Sequence, residues 1–190
     1  MSKALAASAI LALPLLVFVG FGALLGRLAG KTRPPGRMAI NTHLHYGVEE
    51  VESYWRWHRE RAAPPSLLAR TAPGTGLDAE RRFLKLDLIF ALLYPGALAL
   101  SLAWIWRALS QPFPAAWFVV PLLLVTLCDW TENAIQLGQM PRFLAGRPLE
   151  PGWIALASLA TAVKVVGTIG AYLALAGLVV RFLRAAPAPG

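Results

Sequence analysis

Thr126-Leu-Cys-Asp-Trp-Thr-Glu-Asn-Ala-Ile-Gln136 decides the fold. The stretch lies in an otherwise apolar run, Ala115 to Leu137, long enough to cross a bilayer. Asp129, Glu132, Asn133 and Gln136 recur at i, i+3, i+4 and i+7, which is one face of a helix, and Thr126 extends that face by a turn. A charged side chain at a membrane helix centre costs ~2.5–3.5 kcal/mol on an insertion scale. Each surrounding Val, Leu or Ile returns only ~0.3–0.6 kcal/mol. Two carboxylates and two amides on one stripe therefore require a polar partner inside the protein.

Composition agrees with a membrane location. The chain has 190 residues, 57% of them hydrophobic, and a mean hydropathy of +0.56. A soluble domain holds about 45–50% apolar residues even with glycine counted. The net charge of +8 is distributed between the apolar runs and not along one amphipathic face, so it reads as positive-inside bias and excludes nucleic acid as a partner. Cys128 is the only cysteine, which excludes an internal disulfide and any multi-cysteine metal centre. Heavy use of Ala, Leu, Arg and Pro points to a GC-rich bacterial genome and hence to a bacterial cytoplasmic membrane.

Working outward, four spans are expected at about 4–27, 86–106, 115–138 and 153–180, forming one all-α four-helix bundle over residues 1–184 with a flexible tail at 185–190. The first run exceeds the ~7–15 apolar residues of a signal peptide, so it reads as a retained span bent at Pro14. Gly22, Gly26 and Gly30 recur every four residues and offer a face for close backbone approach, including in a homo-oligomer. The polar section 31–84 predicts an amphipathic helix from Tyr46 to Arg61, with Val48, Val51, Trp55 and His58 on one face. Such a helix lies in the headgroup layer or packs on the ends of the spans. Thr75 and Asp78 are candidate caps for the next helix.

In the second span, Asp87, Tyr94 and Ser101 share a face, and Pro95 is a candidate kink. Trp104, Trp106 and Trp117 mark the interface around the turn at Gln111-Pro-Phe-Pro. The fourth span presents a small and polar face of Ala157, Ala160, Thr161, Lys164, Gly167, Thr168 and Ala171. Thirteen of the 18 Lys and Arg residues fall in 27–85 and 139–152, and Lys3, Arg107, Arg181 and Arg184 fall opposite. That asymmetry predicts cytoplasmic loops at 28–85 and 139–152, with both termini outside.

At ~1.5 Å per residue, Lys164, Asp129, Glu132 and Tyr94 all lie ~9–16 Å from the cytoplasmic ends of their spans and can meet, with Asp87 nearer the rim. One lysine neutralises one carboxylate. The remaining acid is protonated, meets water, or binds something cationic or hydroxylic. Asp129 and Glu132 are thus acid–base candidates, with the Tyr94 hydroxyl beside them. Asn133, Gln136, Lys164, Asp87, Thr161 and Thr168 are candidate binding groups. His43, His45 and His58 form at most a weak metal candidate, because nothing fixes a third ligand. No cofactor motif is present.

Asp87 and Tyr94, then Asp129-Trp-Thr-Glu-Asn133, then Lys164 resemble a group of small bacterial multi-span proteins with an Asp-x-x-Glu-Asn element. The resemblance covers the second to fourth spans and implies no activity, substrate or cofactor. Three functional expectations remain open: a site that binds or transforms a lipid-like molecule, a structural ion pair that locks the bundle, or a small oligomeric proton- or ion-coupled transporter. Membrane lipids are the expected partners.

Overall fold

In a computed structural model, residues 2–31, 40–64, 74–110, 114 and 116–185 are described. Residues 32–39 and 65–73 of the polar section, residues 111–113 of the expected turn, and all of the expected tail at 185–190 except Ala185 lie outside those residues. Six α-helices are formed among the described residues: α1 (Lys3–Leu15), α2 (Gly22–Ala29), α3 (Val48–Arg59), α4 (Gly76–Ala108), α5 (Ala116–Leu144) and α6 (Pro151–Arg184). A π-helical turn, Leu16–Phe21, joins α1 to α2 into one rod, so four rods are long and apolar enough to cross a membrane.

The helices outlast the apolar runs that announce them. α4 begins at Gly76, well before Leu86, because Thr75 caps it and polar contacts replace lipid as the helix's surroundings. Asp78 N–H donates to Thr75 Oγ1 at 3.3 Å, and Thr75 N–H donates back to Asp78 Oδ2 at 2.8 Å. Gly76 permits this start to press on α3, since a Cβ there would lie 2.8 Å from the His58 carbonyl oxygen. α5 likewise passes Gly138 and Pro141 before ending at Leu144. It turns back through Gly146 in the left-handed region (φ 68°), and an Arg142–Glu150 ion pair of 2.7 Å closes the hairpin.

Pro14 removes a helical donor, and its own carbonyl accepts from the Tyr172 hydroxyl of α6 at 3.0 Å. The π turn follows two residues later and carries Phe18 and Phe21 against Phe90 of α4. α3 packs its apolar face on the ends of the spans. Val51, Tyr54, Trp55 and His58 are buried, and Trp55 meets Phe143 of α5 edge-on.

Two apolar clusters result, one at each end of the bundle. Trp55, Leu84, Ile135 and Ile154 belong to the cluster beneath α3, while Leu98, Leu102, Val125 and Leu175 belong to the far one. The polar faces of α4, α5 and α6 lie between them. α5 and α6 share the largest interface, with Gly167 admitting Val125 so closely that a Cβ would sit 2.6 Å from its Cγ2. The α1–α2 rod is peripheral: only 11% of its apolar window is buried, against 50% for α4.

Candidate functional site

Each residue of the Asp129–Asn133 element finds a polar partner through its side chain. Asp129 and Glu132 both accept from Lys164 Nζ, at 3.1 Å on Oδ1 and 2.5 Å on Oε2. Trp130 Nε1 donates to the Leu88 carbonyl of α4 at 2.8 Å, and Thr131 returns its hydroxyl to Leu127 at 2.8 Å. Asn133 Nδ2 donates to Asp87 Oδ2 at 3.1 Å. Helical spacing makes this possible, because α5 turns its stripe into the groove between α4 and α6. The small face of α6 brings its backbone near enough for a lysine stem to reach both acids.

Around that pair, Tyr94 donates its hydroxyl to Asp129 Oδ2 at 3.3 Å, and Gln136 Nε2 donates to Glu132 Oε1 at 3.0 Å. Thr161 sits one turn from Lys164 and donates to its own helix at Ala157. Thr168 lies beside the Tyr94 phenol without closing a hydrogen bond. All the candidate binding groups (Asn133, Gln136, Lys164, Asp87, Thr161 and Thr168) are therefore buried in one polar layer between the apolar clusters, ~10 Å deep along the helices.

Tyr46 belongs to the same layer, and no periodicity in the sequence marks it. The loop after the 3₁₀ turn Ile40–Thr42 drops it between α3 and α6, where its N–H donates to Ser158 Oγ at 2.9 Å. Its hydroxyl lies 3.3 Å from Thr161 Oγ1. The single Thr161 proton already serves Ala157, so Tyr46 is the donor there. Burial, then the nearby Glu132 carboxylate, push the Tyr46 phenol up, which keeps it a neutral hydrogen-bond donor. The clue in the sequence was the single aromatic closing His43-Leu-His45-Tyr46, which looks like the start of a helix face.

The charge count leaves an excess of acid. Lys164 bridges Asp129 and Glu132, while Asp87, 4% exposed, has only the Asn133 amide among the described residues. Lys164 also keeps one of its three donors without an acceptor among the described residues.

A cavity of ≈ 1070 Å³ opens beside this layer, behind the α1–α2 rod. Asp87, Tyr94, Asp129, Lys164 and Thr168 form its polar wall. Phe18, Val19, Phe90, Val165 and Ile169 form an apolar one, with Arg27 and Lys31 at the end nearer α3. Glu132 does not reach it; fully buried, it lies behind Lys164. Gly22, Gly26 and Gly30 line this cavity instead of receiving another backbone of the chain. A Cβ on Gly26 would meet nothing within 4 Å, and Gly30 is a left-handed helix cap at φ 69°.

The three histidines do not assemble. His45 is exposed and lies, with His43, near Glu50, whereas His58 is sealed between Tyr54, Trp57 and the start of α4. Among the described residues, no group of three or more His, Cys, Asp or Glu is arranged to hold a metal. Burial holds the His58 imidazole below its ordinary 6.5, with Glu80 opposing.

Fold and site define a multi-pass helical membrane protein with a buried ion-paired layer that opens on a cavity. No protein-family model, curated protein or solved structure matches the chain.

Proposed function

We propose that this protein binds a lipid-like amphiphile in the cavity between the α1–α2 rod and α4–α6, and acts on its polar group by acid–base chemistry. The observation that carries this reading is the joining of apolar walls to Asp87, Asp129, Tyr94 and Lys164 within one cavity of ≈ 1070 Å³. Ligand sites are commonly ~300–1,000 Å³, mostly apolar, with a few converging polar groups. A lipid explains why those groups lie at acyl depth. Asp129 is the acid–base candidate, because it touches the cavity while hydrogen-bonded by Tyr94 and Lys164. Glu132 holds the lysine from behind. The lysine and arginine bias makes the α3 end the cytoplasmic one, in a bacterial inner membrane, so the site opens toward the inner leaflet.

The test is the lipid that copurifies in mild detergent, quantified by mass spectrometry against Gly26→Trp. Gly26 has open space beyond its Cα, so the indole fills the cavity without displacing a packed neighbour. The wild type is expected to retain an amphiphile near one per chain and the variant to lose it. Equal retention would refute the cavity as the site.

The structural reading retains one specific support: Lys164 is closed by two carboxylates, one of which never meets the cavity. On that reading the pair sets helix register, and its energetics can be measured separately from ligand binding.

A further inference from the structure

The cavity has an order of charges along its depth. Contacts between the α1–α2 rod and α4 set the levels: Lys31 Nζ lies 3.6 Å over the Phe83 ring, Gly22 faces Phe90, and Phe18 meets Tyr94 at 5.6 Å between centroids. Moving inward from the α3 end, α4 therefore presents Phe83, Asp87, Phe90 and Tyr94 to the cavity. Asp87 sits four residues below the cationic rim, ~6 Å along the helix. Tyr94, with Asp129 and Lys164, lies seven residues deeper, ~10 Å further.

The rim carries Lys31, paired with Glu80 at 3.2 Å, and Arg27, which is exposed and has no partner among the described residues. Beneath it is the buried Asp87 carboxyl, which among the described residues has one amide partner and no cation within ion-pair distance. A phosphate is the natural group for Arg27. A hydroxyl is the natural group for Asp87, because it donates to a carboxylate and accepts from a carboxylic acid, and so satisfies either form. An ammonium suits only the ionised form and would have to pass two rim cations. An ester carbonyl suits only the protonated one.

We propose that the occupant is a single-chain lipid of the lysophospholipid class, with its phosphate at Arg27 and its free backbone hydroxyl on Asp87. In such a lipid the free hydroxyl stands on the carbon next to the one bearing the phosphate ester, which matches a short step between the rim and Asp87. The acyl chain then runs along Phe18, Phe90 and Ile169 toward the bilayer. This inference rests on the amphiphile reading above and adds the identity of the polar group.

The test uses the full chain in detergent and measures binding of lysophosphatidic acid, its 2-deoxy analogue, diacyl phosphatidic acid and an alkylammonium of equal chain length. Lysophosphatidic acid is expected to bind about tenfold or more tightly than the deoxy analogue, the scale of leaving one buried polar group without its partner. That preference should vanish in Asp87→Ala, while Arg27→Gln should weaken lysophosphatidic acid and its deoxy analogue alike. Equal binding of the deoxy analogue to the wild type overturns the hydroxyl assignment and leaves a lipid site standing. Stronger binding by diacyl phosphatidic acid or the alkylammonium overturns the single-chain or phosphate assignment. Failure of all four to bind overturns this inference, while the amphiphile reading is decided separately by whether a lipid copurifies with the wild type and is lost in Gly26→Trp. The central comparison uses wild-type protein, so a misfolded Asp87 variant cannot hide the result.

Discussion

Replacing Lys164 by methionine keeps the stem that packs on α5 and removes the charge that two acids share. Its Nζ lies 3.1 Å from Asp129 and 2.5 Å from Glu132, and all three residues are at least nine-tenths buried. Removing one partner of a buried pair costs about 3–5 kcal/mol, because an uncompensated charge remains in a low-dielectric interior. Lys164→Met leaves two such acids, so its loss should lie at or above the upper end, with some relief if one takes up a proton. Glu132→Gln should cost less, because Lys164 retains Asp129. The double variant Lys164→Met/Glu132→Gln should then be more stable than the sum of its singles by about 0.5–3 kcal/mol. Reversible unfolding in bicelles, by steric trapping or denaturing-detergent titration, measures all four corners of the cycle. Additive losses, or a Lys164→Met cost under about 1 kcal/mol, would refute a shared buried lysine as the link between α5 and α6.

Packing and pH supply two further outcomes. Gly167→Ala places a Cβ 2.6 Å from Val125 Cγ2, so it should destabilise by about 1–3 kcal/mol, and Val125→Ala should recover most of that in the same unfolding assay. His58 is held below its ordinary 6.5 by burial, so the unfolded chain takes up the proton first on acidification. Its contribution is fully present above 6.5 and declines as pH falls toward the depressed folded value. Hydrogen exchange in α3, corrected for intrinsic rates, should therefore quicken between about pH 7 and about pH 5 in the wild type, and less so in His58→Gln. Identical profiles would show that α3 docks independently of that imidazole.

The buried layer was legible because its helices obey a strong rule. Polar groups at 3.6-residue spacing inside apolar runs must face one another, and depth along each span located Asp129, Glu132, Lys164 and Tyr94 at one level. The same rule could not separate Asp129 from Glu132. Both lie on one stripe, yet Asp129 meets the cavity and Glu132 is closed behind Lys164. Tyr46 escaped because an irregular loop delivers it, and no period encodes that path. Glycines at positions 22, 26 and 30 suggested backbone contact, since spacing reports the missing side chains and not what occupies the space they leave. His58 looked available beside His43 and His45. The short Gly76 contact, which fixes α3 against α4 and buries that ring, is a tertiary feature that composition does not carry.

Whether an amphiphile sits between the α1–α2 rod and the polar wall is tested most directly by an experimental structure of the chain in a lipid nanodisc. Density for an acyl chain along Phe18 and Phe90, with its polar end within hydrogen-bond reach of Asp87 or Asp129, is the predicted result. A structure in which Gly22 and Gly26 close directly onto α4 and α6, leaving no space beside Asp87, would contradict it.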